Sequence, residues 1–115
     1  MADIELTSTC EQGYVVSSVV GDWELTVDAT QEEGPDANQV LAADYASCYI
    51  PAFRVGAQQE GFDDVGRIEV DVTADLDEDD DLESIAFTIH VEADLGDAVD
   101  DIVARGEEIC HVHSA

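Results

Sequence analysis

Apolar and polar residues alternate through the first third of the chain. Ile4, Leu6 and Ser8 fall on one side and Asp3, Glu5 and Thr7 on the other. Glu11-Gln12-Gly13 then turns the chain into a second run, Tyr14 to Val20. Gly21-Asp22 turns it again into Trp23 to Thr30, so a meander of three short strands is predicted. A polar break with a Gly-Pro turn signal, Gln31 to Pro35, changes the period. From Asp36 to about Gln59, Val40, Leu41, Asp44, Tyr45, Cys48 and Ala52 fall at three- and four-residue steps, which predicts a helix with Asp36 as its cap. Pro51 is expected to kink or break that helix, and Gly56 and Gly61 to loosen or end it.

Two further alternating segments follow, Val65 to Ala74 and Ser84 to Ala93. The acidic run Asp75 to Glu83 between them reads as an exposed hairpin loop. A second helix is expected from Asp97 to about His111, with Val99, Ile102, Val103 and Ile109 at helical spacing and Gly96-Asp97 as its cap. Strands paired by short connections beside two helices predict an α+β fold. Residues 1–115 are expected to form a single domain, with a closing C-terminal strand possible beyond it.

Composition changes the picture mainly through charge. Against 29 Asp and Glu stand three Arg and no Lys, a formal net charge of −26 at pH 7. Binding a phosphate backbone needs Lys and Arg to displace condensed counterions, so nucleic acid is excluded as a partner, and an anionic membrane surface is disfavoured. Leu, Ile, Val and Phe supply about a quarter of the residues, above the roughly one-fifth below which an acidic chain stays disordered. No apolar run approaches the ~18 residues of a membrane span, and Met1 to Ile4 opens no signal peptide; the expected location is the cytoplasm. At molar salt the Debye length shrinks to ~3 Å and carboxylate repulsion is screened, so the acidity reads as adaptation to concentrated internal salt.

The candidate chemistry lies in the cysteines. Cys10, Cys48 and Cys110 are odd in number and have no Cys-x-x-Cys spacing, which implies neither a disulfide framework nor a zinc ribbon. Cys48 and Cys110 lie in the two predicted helices and could meet across their seam. Buried cysteine often only fills space, and both readings stay open on the residues alone.

The stretch Gly34-Pro35-Asp36-Ala37-Asn38-Gln39-Val40-Leu41-Ala42-Ala43-Asp44-Tyr45-Ala46-Ser47-Cys48 resembles the Gly/Asn-Pro-x-x-x-Leu-x-Ala-Ala-x-x-x-Cys segment of the OsmC/Ohr family of thiol peroxidases. Glu108-Ile109-Cys110-His111-Val112-His113-Ser114 is similar to that family's second motif, Cys-Pro-Val/Ile-Ser. The resemblance implies an OsmC-like α+β fold, with antiparallel sheets and two central helices that carry the cysteines. It further implies an intertwined homodimer with active sites at the interface. A Cys48 thiolate would reduce an organic hydroperoxide in oxidative stress defence. Cys110 would resolve the sulfenic acid to a disulfide, and an external dithiol or lipoyl-type reductant would reset the pair without a resident cofactor.

The chain departs from the family it resembles at both supporting residues. Family members activate the thiol with an Arg from the N-terminal strands, held by a Glu ten residues before the cysteine. Here that position is Asn38, and the N-terminal strands contain no Arg or Lys. Cys48 also lies too far into its helix for the dipole to lower its pKa. Arg54 and Arg105 are the candidate supporting cations, with Asn38 in the remaining position. Two other readings stand beside the peroxidase: a non-catalytic ligand-binding or structural protein of the same fold, and a metal-binding module using Cys48, Cys110 and His113. His90 reads as structural, Cys10 as incidental.

Overall fold

The structure is a computed structural model that describes residues 2–111 and 113. Val112 and Ser114 of the second motif, and the chain end after it, lie outside the described residues. The elements run β1 (Thr7–Thr9), β2 (Val15–Val20), β3 (Trp23–Asp28), α1 (Ala37–Gln59), β4 (Ile68–Leu76), β5 (Leu82–Val91), a 3-10 turn (Gly96–Ala98) and α2 (Val99–Ile109). Their contacts fall into two compact units, Met1–Leu41 and Ala42–Ala115.

The first unit contains the predicted meander, an antiparallel sheet in the order β1-β2-β3. Val20 pairs with Trp23 across the two-residue turn, where Gly21 adopts φ 59°. A left-handed glycine at this point matches the turn to the twist of its strands. The break that follows is built around Asp28. Its buried carboxylate accepts bonds from the Thr30 N–H (2.8 Å) and hydroxyl (2.7 Å) and from the N–H groups of Glu32 (3.2 Å) and Glu33 (3.0 Å). The two Thr30 bonds foremost hold its pKa below the usual carboxylate range. The loop delivers the chain to α1, where a reciprocal cap closes the first turn. Asp36 Oδ1 accepts the Gln39 N–H at 2.9 Å and Gln39 Oε1 accepts the Asp36 N–H at 3.0 Å.

In the second unit β4 and β5 form an antiparallel hairpin, with Val70 opposite Ile89 and Val72 opposite Phe87. Ile68, Phe87, Ile89 and Val91 pack toward the helices, while Glu69, Asp71, Thr88 and His90 are exposed on the other face. The acidic connection is a tight turn in which Asp77 Oδ1 accepts the N–H groups of Asp79 and Asp81. The core cluster is Tyr49, Ala52, Phe53, Ala57, Val65, Leu95, Ile102 and Cys110.

Two local expectations are corrected and a third is narrowed. α1 is not broken at Pro51 and runs on to Gln59. Proline forfeits one backbone bond, and burial of Tyr49, Ala52, Phe53 and Ala57 on both sides of it holds the helix together. Gly56 does not loosen α1. It sits where α2 crosses, and a Cβ there would lie 3.0 Å from Arg105 Cβ and 3.2 Å from the Ile102 carbonyl oxygen. Gly96-Asp97 forms the 3-10 turn rather than the cap of α2, whose N-cap is Ala98 with no side-chain bond.

Candidate functional site

The helical steps that place Tyr45, Cys48, Tyr49 and Ala52 on one side of α1 turn that side into the core of the second unit. Cys48 is half-buried there and Cys110, at the C-cap of α2, is wholly buried, both within one apolar cluster. The two helices approach closely because of a second glycine. A Cβ on Gly106 would fall 3.0 Å from the Tyr49 ring, so only glycine lets that ring lie flat on α2. The Tyr49 hydroxyl donates to the Val103 carbonyl at 3.1 Å. Burial first, then the negative charge of Glu107, pushes its pKa up to about 12, so it stays a neutral donor.

Above this seam lies a cavity of about 350 Å³. Tyr45, Tyr49 and Phe87 supply aromatic walls, with the Tyr45 and Phe87 rings edge to face at 4.8 Å between centroids. Ile85, Ile89 and Val103 complete the apolar lining, and Glu107 and His113 are its polar members. Tyr45 bonds through its hydroxyl to His113 Nδ1, and the backbone N–H of His113 donates to Cys110 Sγ at 3.4 Å. Burial pushes the Tyr45 hydroxyl pKa up, with Cys110 and Glu107 adding to the shift as negative groups. The cleft therefore combines an apolar wall with polar groups near the end of α2.

The supporting residues named from sequence are placed as follows. Arg54 donates to the Gly66 carbonyl at 2.9 Å. Arg105 pairs with Glu60 at 2.7 Å and bonds Gln59 at 2.9 Å, tying α2 to the end of α1. The third cation, Arg67, just before β4, pairs with Glu69. Asn38 lies in the first turn of α1, in the first unit. Cys10 is an exposed thiol that donates to the Gly13 carbonyl at 3.3 Å, and His90 pairs with Asp71 at 2.9 Å.

The metal alternative fares differently. Among the described residues, the trio whose ligand atoms lie within 4.8 Å of one another is Asp77, Asp79 and Asp81 in the β4–β5 turn; Cys48, Cys110 and His113 do not meet that separation. No described helix is long and apolar enough to cross a membrane. Sequence reasoning missed Tyr45 and Phe87 as site residues. Tyr45 carried a signal, since it precedes Cys48 by three residues on one helical face, whereas Phe87 joins the site only through the packing of β5.

The family model for OsmC-like protein matches residues 18–115. A protein of Haloferax volcanii, described as uncharacterized, is 51% identical over 116 residues, spanning 100% of this chain and 88% of that one. The OsmC like protein from Mycoplasma pneumoniae has a similar structure, with a TM-score of 0.84 at 12% identity over 98% of this chain and 86% of that chain. The organic hydroperoxide resistance protein OhrB of Bacillus subtilis gives a TM-score of 0.70 at 20% identity, covering 98% and 89% of the two chains. These likenesses establish the α+β arrangement of antiparallel sheets and two helices expected from the sequence.

Proposed function

Since the chain belongs to the OsmC-like protein family, we propose that it is a cysteine-based peroxidase for organic hydroperoxides, acting in oxidative stress defence. One observation carries the reading: two cysteines of unequal exposure share one apolar cluster with Tyr45 and Tyr49, which also line the cleft. Half-buried Cys48 is the thiol a peroxide can reach, and Cys110, wholly buried, is the one to resolve it. The Cys48 thiolate attacks the O–O bond and becomes a sulfenic acid, and the alkoxide leaves with a proton as the alcohol. Cys110 then displaces hydroxide from the sulfenic sulfur, giving a disulfide and water. An external dithiol exchanges with that disulfide and leaves as its own oxidised form. The cleft receives the alkyl part of the substrate, the class named by the B. subtilis protein.

The reading includes a homodimer in the cytoplasm. Ile4, Leu6, Tyr14, Trp23 and Leu25 of the first unit are exposed, Trp23 to 75%, more apolar surface than a small acidic domain gains by leaving wet. A specific observation also favours the non-catalytic alternative. All three guanidinium groups are engaged by Gly66, Glu69, Glu60 or Gln59, and the chain has no Lys.

Turnover of cumene hydroperoxide with a dithiol reductant separates the two. The peroxidase reading expects activity that Cys48→Ser abolishes, while Cys110→Ser, given peroxide without the reductant, consumes about one equivalent per chain and halts at the sulfenic acid. Equal peroxide consumption by wild type and Cys48→Ser would favour the binding protein.

A further inference from the structure

Cys110 is poorly placed to ionise. It is wholly buried, it caps the carbonyl end of α2 with its own N–H on the Gly106 carbonyl at 2.9 Å, and Glu107 lies one turn earlier. Burial, the helix end and a neighbouring carboxylate each disfavour a thiolate. Among the described residues, the titratable groups around it include Tyr45 and Tyr49 from α1, Glu107 from α2 and His113 beyond it, with Cys48 and the uncharged Phe87 and Ile89 of β5 packed on the same cluster. One contact works the other way. The His113 N–H donates to Cys110 Sγ at 3.4 Å, and a hydrogen bond to the charged form favours that form. That N–H is held in place at a distance, because the His113 ring is bonded through Nδ1 to the Tyr45 hydroxyl on α1.

We propose that Tyr45 and His113 are positioning residues for the resolving step: their ring-to-hydroxyl bond pins the turn after α2 so that the His113 N–H stabilises the Cys110 thiolate. The inference rests on Cys48 and Cys110 forming a redox pair. In the step it serves, the Cys110 thiolate attacks the sulfur of the Cys48 sulfenic acid; the S–S bond forms, the S–O bond breaks, and hydroxide takes up the proton that Cys110 released, leaving as water. Tyr45 retains its proton and donates it to Nδ1, which leaves the His113 proton on Nε2.

The test uses the full chain with carbon-13-labelled cysteine and follows the Cys110 Cβ resonance against pH, without peroxide. Tyr45→Phe and His113→Ala should each raise the Cys110 pKa by about one unit, the scale of a lost hydrogen bond to a charged group. His113→Asn, whose Oδ1 can replace Nδ1 as acceptor, should titrate like wild type. In a second measurement, closure in Tyr45→Phe is scored per Cys48 sulfenic acid formed by one equivalent of cumene hydroperoxide, whatever the rate of that first step. Disulfide closure should be about tenfold slower, leaving sulfenic acid to be captured by dimedone. An unchanged Cys110 titration in both variants overturns the inference, as does a shift in His113→Asn as large as in His113→Ala. A wild-type chain that forms no sulfenic acid would instead remove the peroxidase reading, and the titration would still decide the placement of the thiolate.

Discussion

Tyr49 shows how one side chain couples packing to protonation. Its ring fills the space left by Gly106, its hydroxyl donates to Val103, and burial lifts its pKa from 10.0 to about 12. The neutral form is therefore favoured in the folded state. Below pH 10 the residue is protonated whether the chain is folded or not, and its contribution is complete. Above pH 10 the unfolded chain ionises first, and stability is lost progressively toward pH 12. Urea midpoints measured from pH 8 upward should fall across this window, and Tyr49→Phe should remove part of the fall. A Tyr49→Phe profile parallel to wild type would show that the hydroxyl is not the group responsible.

At the scale of elements, the strands and helices were legible because their periods are clean. Ile68, Val70 and Val72 alternate against Glu69 and Asp71, and Tyr45, Cys48 and Ala52 step around α1, so local sequence and tertiary burial agree. Gly56 misled because its local freedom gives way to contacts that exist only once α2 has docked, and Pro51 does not break α1 because buried neighbours in the same helix hold it. Asp28 was invisible for a similar reason. Its four acceptor bonds are made to a loop that reads in sequence only as a polar break. In the candidate site, the placement of both cysteines in one core was legible through their motifs. The Tyr45–His113 bond was not, since it joins residues 68 apart and depends on where α2 ends. The helix crossing yields its own prediction. Gly106→Ala should destabilise the fold by about 1–3 kcal/mol through overpacking against the Tyr49 ring. Chemical denaturation measures this, and a loss well below 1 kcal/mol would show that the ring yields freely.

For the whole molecule, we propose that the net charge of −26 acts on stability rather than on chemistry. Exposed carboxylates line the β4–β5 turn and the outer face of its hairpin, and few cations offset them. Raising potassium chloride from about 0.1 M to molar concentration shortens the Debye length from ~10 Å to ~3 Å, so the thermal midpoint should rise with salt. A midpoint insensitive to salt would contradict that view of the charge. The same scarcity of cations makes the chemistry of the thiols the central question. The most direct test is peptide mapping by mass spectrometry after one equivalent of alkyl hydroperoxide in concentrated salt. A Cys48–Cys110 disulfide is the predicted product; unmodified thiols at both positions would contradict the account.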